Sequence, residues 1–123
     1  MRKHRTYETL VDLYQKSAKI HYEIDYRDKK SVKKGNRAAE DMKKIAQLIH
    51  LYYPGMLFEF ATLLTNPAYR IDLWAAHHIL EIMSYSPMLE DNALSVIERY
   101  ADENDFTALG NRMWLDQWRE KQR

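Results

Sequence analysis

The segment 71–83 constrains this 123-residue chain most, because nine of its thirteen residues are apolar. Its polar members are Asp72, His77, His78 and Glu81. A helix with so little polar surface must be covered on most sides by other elements. We therefore expect a central helix around Trp74, with the remaining elements packed against it.

The composition favours helices for the rest of the chain as well. Leucine occurs 13 times and alanine 11 times, against three valines, three glycines and three prolines. These are too few β-branched and turn residues for a protein built from many hairpins. There is no cysteine, which excludes disulfides and thiolate zinc sites. We expect one all-α domain over residues 1–123, with short disordered ends at 1–5 and 120–123.

Capping residues and breakers divide the first half of the chain into two helices. Thr6 can cap the first helix and Ser31 the second, which Pro54 ends. Gly35 lies within the apolar stripe of the second helix. Either it permits a close approach of a neighbouring element, or that helix begins only at Asn36. We favour the longer helix.

Four further helices follow in the second half. A short apolar helix covers 56–64, and Asn66 then caps a fourth helix whose first residue is Pro67. Ser86 caps the fifth helix in the same way. The sixth covers 106–119, and its expected buried residues are Leu109, Met113, Leu115 and Trp118.

Several landmarks in this order resemble a known helical family. They are Asn36, Leu63, Leu64, Pro67, Leu73, Trp74, Ala75, Ala76, His78, Leu80, Leu115 and Trp118. The segment from Leu63 to Leu80 resembles one HEAT-type repeat. The wider chain resembles a small bacterial family of HEAT-like (armadillo-type) proteins catalogued only as a domain of unknown function. One departure is Asp72, which stands where HEAT units usually carry an arginine.

This resemblance implies a fold and a type of function. The fold would be a six-helix fragment of an α-α right-handed superhelix. Stacked helix pairs leave an extended face that binds other macromolecules, so the resemblance implies no enzymatic activity. Small helical proteins of this kind often accompany bacterial toxins as immunity proteins.

The residues themselves show no pattern typical of catalysis. The chain contains no Gly-x-Ser-x-Gly motif, and its three isolated glycines cannot form a phosphate-binding loop. His77 and Glu81 share a helix face, but no second pair of ligands accompanies them. We expect no catalytic residue, no metal and no cofactor, and we interpret His77 as a hydrogen-bonded residue at the edge of the core.

Charge is distributed unevenly along the chain. Residues 1–50 hold 13 Lys and Arg against 7 Asp and Glu, whereas residues 51–123 hold 6 against 11. The basic cluster consists of Lys29, Lys30, Lys33, Lys34 and Arg37. The acidic cluster consists of Glu90, Asp91, Glu98, Asp102, Glu103 and Asp105. A spaced row of carboxylates can imitate a nucleic-acid backbone and cover a basic active site.

We therefore expect a non-catalytic protein-binding module, and more specifically an immunity protein whose acidic cluster contacts a toxin domain. One alternative is a homodimer or scaffold, since nine tyrosines are available as interface anchors and the sequence leaves open which are exposed. A less favoured alternative is nucleic-acid binding through the basic cluster, which Glu40 and Asp41 interrupt. No bilayer-spanning apolar run or secretory signal is visible, so we expect a cytoplasmic protein without a membrane partner.

Overall fold

The computed structural model describes residues 5–122, and within that range the chain forms six α-helices and no β-strand. The helices are α1 (Tyr7–Tyr22), α2 (Lys29–Tyr52), α3 (Leu57–Ala61), α4 (Ile71–Ile82), α5 (Pro87–Ala101) and α6 (Phe106–Lys121). The all-α prediction is confirmed. Of the predicted disordered ends, 1–4 and 123 lie outside the described residues, whereas α6 continues beyond residue 119 to Lys121. No helix in residues 5–122 combines the length and the apolar composition that a bilayer crossing requires.

Two of the predicted side-chain caps begin their helices as expected. The Thr6 hydroxyl accepts a hydrogen bond from the backbone N–H of Thr9 at 3.1 Å, and α1 begins at the next residue. The Ser86 hydroxyl accepts from the backbone N–H of Leu89 at 3.3 Å at the start of α5. Each cap satisfies a backbone donor that the first helical turn leaves unpaired.

Ser31 does not cap α2, and this prediction was wrong. The helix begins two residues before Ser31, and its cap is Asp28, which accepts from the backbone N–H of Lys30 at 3.0 Å. A carboxylate is favoured at the positive end of a helix, so Asp28 takes this role. The Ser31 hydroxyl instead accepts from the backbone N–H of Asp25 at 2.8 Å and fastens the loop between α1 and α2.

Gly35 lies within an uninterrupted α2, as predicted, and Asn36 begins no new helix. A Cβ atom at Gly35 would lie 2.2 Å from both Cδ1 and Cγ1 of Ile24. The side chain of Ile24 therefore occupies the space that any larger residue would need. Gly35 permits the close approach that the sequence suggested.

The third and fourth helices begin and end differently from the prediction. The expected helix over 56–64 is α3 alone, followed by the 3-10 turn Thr62–Thr65. Pro67 is not the first residue of α4, because the 3-10 turn Ala68–Arg70 intervenes. Asn66 does act as a cap, since its side-chain oxygen accepts from the backbone N–H of Ala68 at 3.1 Å. It caps this turn rather than α4.

Two consecutive left-handed residues precede α4. Tyr69 has a φ of 52° and Arg70 a φ of 57°, a region in which a residue with a Cβ costs about 1–2 kcal/mol. The turn is closed by the backbone carbonyl of Asn66, which accepts from the N–H of Asp72 at 2.9 Å. This geometry gives α4 a later start and directs two large side chains away from the helix axis.

The central helix α4 lies in the middle of the core. Its residues Ala75, Ala76 and Ile79 are completely buried. The fully buried large side chains that surround it come from four other helices: Tyr14, Met42, Ile49, Phe60 and Ile97. The predicted central helix is confirmed, but Trp74 is only half-buried and faces a side of α4 that other helices leave open.

The sixth helix is rotated relative to the prediction. Leu115 is buried as expected and Trp118 is half-buried, but Leu109 and Met113 are more than half exposed. Besides Leu115, the buried residues of α6 are Ala108 and Asn111, which the prediction did not include. The reason is a polar contact, because the Asn111 amide reaches the ring of His77 on α4.

A buried carboxylate joins α4 to α5. Asp72 is 1% exposed, and its Oδ1 accepts from the Tyr100 hydroxyl at 2.7 Å and from the Leu73 backbone N–H at 2.8 Å. Its Oδ2 accepts from the Arg99 guanidinium at 2.5 Å. Burial, followed by the hydrogen bond to Asp72, raises the pKa of Tyr100 well above its ordinary value. Asp72 is therefore a structural link between two helices.

Candidate binding groove along the central helix

Two cavities meet along the open side of α4. One, of about 340 Å³, is lined by His21, Tyr22, Tyr26, Tyr69, Arg70, Leu73, Trp74 and Thr107. The other, of about 320 Å³, is lined by Leu73, Trp74, His77, His78 and Glu81. Leu73 and Trp74 line both cavities, so the two lie side by side along α4, and together we call them the α4 groove. Both volumes lie at the lower end of the range typical of ligand pockets.

Aromatic and basic side chains form the first end of the groove. The Tyr69 ring packs edge-on against Tyr22 at 5.8 Å between centroids, and the Lys19 ammonium lies 5.8 Å from the Tyr69 ring. The Arg70 guanidinium lies 5.9 Å from the Tyr22 ring and 3.7 Å from the Asp105 carboxylate. These contacts hold the side chains of Tyr69 and Arg70, whose backbone is left-handed, against the first cavity.

The floor of the groove is a row of stacked rings. Trp74 stacks on His78 at 5.9 Å, and His21 packs edge-on against Trp74 at 5.0 Å. The Tyr14 hydroxyl lies 2.6 Å from His78 Nδ1 in the buried core. Burial, aided by the charges of His77 and Lys43, lowers the pKa of His78 to about 4, while burial raises that of Tyr14. At neutral pH, Tyr14 therefore donates to an uncharged imidazole, and the floor carries no charge.

The second end of the groove carries a carboxylate. The indole N–H of Trp114 donates to Glu81 Oε1 at 2.8 Å, and the ring of His77 packs edge-on against Trp114 at 4.7 Å. His77 Nε2 lies 3.1 Å from the amide oxygen of Asn111, to which it donates. Burial lowers the pKa of His77, although the contacts with Asn111 and Glu81 act in the opposite direction. His77 is a hydrogen-bonded residue at the edge of the core, as predicted.

Metal binding finds no support in this geometry. Within residues 5–122, no three His, Asp or Glu side chains converge in a way that could hold an ion. His77 and Glu81 instead each have a partner on α6.

The acidic cluster lies on α5 and the loop that follows it. Asp91, Glu98 and Asp102 are exposed on one helix face, Glu90 is half-buried, and Glu103 is exposed beyond the end of α5. Asp105 caps α6 by accepting from the backbone N–H groups of Thr107 and Ala108 at 3.0 Å each. Arg119 lies 3.4 Å from Glu98, and with Arg112 it lines a cavity of about 350 Å³ that also contains Asp102. Arginines on α6 therefore offset part of the negative charge.

The basic cluster occupies the first turns of α2. Its five side chains, Lys29, Lys30, Lys33, Lys34 and Arg37, are all exposed. Among the described residues, none of the five forms a salt bridge. The cluster follows Tyr26, a groove residue, by only a few positions.

Sequence patterns found only part of the groove. His77 and Glu81 share a helix face, as the sequence indicated, and both line the groove, as does Arg70. The tyrosines could not be assigned to the surface or the core, because their exposure depends on the left-handed turn and on the loop after α1. The structure shows Tyr22 57% exposed and Tyr26 71% exposed.

Comparisons with known proteins place no further constraint on the site. The chain matches no family model, and searches of curated proteins and of solved structures find no match.

Proposed function

We propose that this chain is a non-catalytic protein-binding module and that the α4 groove receives a segment of the partner protein. The observation that carries this proposal is the pair of adjacent cavities along α4, which share Leu73 and Trp74 in their lining. An exposed depression lined by aromatic side chains with a charge at each end is typical of a recognition surface. Trp and Tyr dominate the binding energy of many protein interfaces.

The arrangement of the helices supports a helical-repeat origin. Helices adjacent in sequence pack along each other, namely α1 on α2, α4 on α5 and α5 on α6. Stacking of successive helix pairs is the geometry of solenoid proteins, which bind partners along an extended face. We propose on this basis, and on the sequence landmarks, that the fold is a HEAT-like superhelix fragment.

The groove can be tested with a phage library of random 12-residue peptides. Peptides selected on the full chain are expected to lose binding to the double variant Tyr22→Ala, Tyr26→Ala. Both side chains are more than half exposed, so the variant should stay folded. The matched control is Phe58→Ala, which removes a 66% exposed aromatic ring outside the groove. The proposal would be contradicted if every selected peptide bound the double variant as tightly as it binds the parent chain.

An immunity role remains the more specific proposal for the partner. The exposed face of Asp91, Glu98 and Asp102 supports it, since such a face can cover a basic active site. Co-expression with the product of the adjacent upstream gene is the test. We expect the neighbour to arrest growth alone, to be neutralised by this chain and to co-purify with it. If the neighbour is neither toxic nor co-purified, the immunity role is excluded. Loss of co-purification with the double variant Asp91→Asn, Asp102→Asn would show that the acidic face contacts the neighbour.

Nucleic-acid binding is a second candidate, because the basic cluster is exposed and without ion-pair partners in the described chain. A gel-shift series with single- and double-stranded probes at increasing salt tests it. Phosphate contacts would give binding at low salt that weakens steeply as salt rises. No shift at low salt excludes this function. Lys33→Ala should weaken any shift, and Lys44→Ala, an exposed lysine further along α2, is the control.

A homodimer is a third candidate. Exposed apolar side chains on α2 and α3, including Leu51 at 65% and Phe58 at 66%, could pack against a second copy. Analytical ultracentrifugation over a range of concentrations distinguishes monomer from dimer, and a chain that stays monomeric at every concentration excludes this candidate.

A further inference from the structure

The α4 groove carries opposite charges at its two ends. Arg70 lines the first cavity, and Lys19 lies beside it against the Tyr69 ring. Glu81 lines the second cavity, and its side chain is exposed. Between these ends, the shared wall is formed by the half-buried Trp74 and its neighbour Leu73. The groove therefore has a positive end and a negative end, with the apolar side chains of Leu73 and Trp74 between them.

Asp105 does not cancel the positive end. Its Oδ1 already accepts three hydrogen bonds, from the hydroxyl and backbone N–H of Thr107 and from the backbone N–H of Ala108. Only its Oδ2 faces Arg70, at 3.7 Å, and both side chains of that pair are about one third exposed. An exposed pair at this distance contributes little and can be exchanged for another carboxylate. Lys19 forms no salt bridge with any carboxylate in residues 5–122.

The dimensions of the groove favour an extended occupant. Glu81 follows Arg70 by eleven residues of mostly helical chain, which corresponds to about 16 Å at a rise of 1.5 Å per residue. An extended peptide rises about 3.3 Å per residue, so about five residues cover this distance. A helix about 10 Å across could enter cavities of about 340 and 320 Å³ only with the side chains of one face, whereas an extended segment can lie in them along its length.

We propose, building on the protein-binding function, that the α4 groove selects an extended peptide segment in which an acidic and a basic residue lie four or six positions apart, so that both side chains point into the groove. The acidic side chain meets Arg70 and Lys19, and the basic side chain meets Glu81. Apolar or aromatic side chains between them lie on Leu73 and Trp74. Opposite charges at fixed spacing set the direction of the segment in the groove, because the reversed orientation would place like charges together.

The sequences of the selected phage peptides provide the first test. Peptides that bind the full chain but not the variant Tyr22→Ala, Tyr26→Ala should be enriched in an acidic and a basic residue four or six positions apart, in either order. A fluorescein-labelled synthetic copy of the most frequent peptide then allows affinity to be measured by fluorescence anisotropy. Replacing its acidic or its basic residue by glutamine should weaken binding about 2- to 5-fold at low salt.

Variants of the chain assign each charge to its end of the groove. With Arg70→Gln, replacing the acidic residue of the peptide should have a smaller effect, and with the double variant Lys19→Gln, Arg70→Gln it should have no further effect. With Glu81→Gln, replacing the basic residue should have no further effect. Glu40→Gln and Lys44→Gln, at exposed positions on α2, are the matched controls and should leave the affinity of the peptide unchanged.

The outcomes separate this inference from the function on which it rests. Groove-dependent peptides without the charge pair, or with an affinity that Arg70→Gln and Glu81→Gln leave unchanged, overturn the inference while the protein-binding function stands. A selection that yields no groove-dependent peptide overturns the proposed function of the groove as a binding site for a partner segment.

Discussion

Replacing Asp72 by alanine tests whether the buried carboxylate holds α4 and α5 together. The substitution removes the acceptor of three hydrogen bonds and leaves the buried Tyr100 hydroxyl without a partner. An orphaned buried donor costs about 1–3 kcal/mol, and loss of one member of a buried charged pair about 3–5 kcal/mol. The Arg99 side chain is 59% exposed and stays hydrated after Asp72 is removed, so the lost ion pair contributes less to the total cost. We expect a loss of about 3–4 kcal/mol in the free energy of unfolding.

The contributions of the individual contacts can be separated with three more variants. Asp72→Asn keeps an oxygen for Tyr100 and loses the charge, so we expect a loss of about 1–2 kcal/mol. Arg99→Ala should cost about 2–3 kcal/mol, because it leaves the buried Asp72 carboxylate without its charged partner. Tyr100→Phe should cost about 1 kcal/mol in the parent chain, whereas in the Asp72→Ala background it should recover about 1 kcal/mol or more because it removes the unpaired hydroxyl.

Urea unfolding followed by circular dichroism at 222 nm measures each of these values. The decisive quantity is the coupling between Asp72→Ala and Tyr100→Phe. Additive losses would show that the two side chains do not interact energetically. A loss below about 1 kcal/mol for Asp72→Ala would show that the carboxylate does not link the helices, and the reasoning would be wrong.

Three further predictions concern the groove and the loop after α1. The pKa of His78 in the folded chain, about 4, lies below its ordinary value of about 6.5, so the unfolded chain binds the additional proton as pH falls. Stability should therefore drop by about 2 kcal/mol between pH 7.5 and pH 5 through this residue alone, and His78→Gln should remove that part of the slope in urea titrations. Gly35→Ala should lower the free energy of unfolding because Ile24 occupies the space of the new methyl group. In an Ile24→Ala background the same substitution should raise it by up to about 1 kcal/mol. Equal effects in both backgrounds would contradict the steric account. Arg70→Gly should be more stable than Arg70→Ala by about 1 kcal/mol, since φ is 57° there and only glycine relieves the strain; the reverse order in urea unfolding would refute the left-handed conformation.

The sequence predicted the features that depend on neighbouring residues. Thr6 and Ser86 cap their helices because a hydroxyl reaches a backbone N–H three residues later, and that contact requires nothing from the rest of the fold. The central helix followed from its own apolar content. Ser31 was assigned the wrong role because Asp28, three residues earlier, competes for the same helix end, and spacing alone does not rank two adjacent caps.

Features that depend on partners far along the chain were beyond prediction. The orientation of α6 follows from the contact between Asn111 and His77, which are 34 positions apart. The burial of Asp72 likewise depends on Tyr100, 28 positions later. In both cases a polar residue is buried because a distant residue provides its hydrogen-bond partner. A prediction from apolar periodicity assigns such polar residues to the surface. Leu109 was therefore placed inside and is exposed.

The strained turn before α4 contributes side chains to the groove on the open side of that helix. Either of the two left-handed residues could be a glycine at lower conformational cost, and the chain instead has tyrosine and arginine there. Both side chains line the groove, where each contacts a ring or a charge. Strain retained at a surface depression is more often tied to function than to packing. Because Asp105 belongs to the acidic cluster and also faces Arg70, a ligand carboxylate at this end of the groove must displace that contact, which couples the groove to the α5–α6 loop.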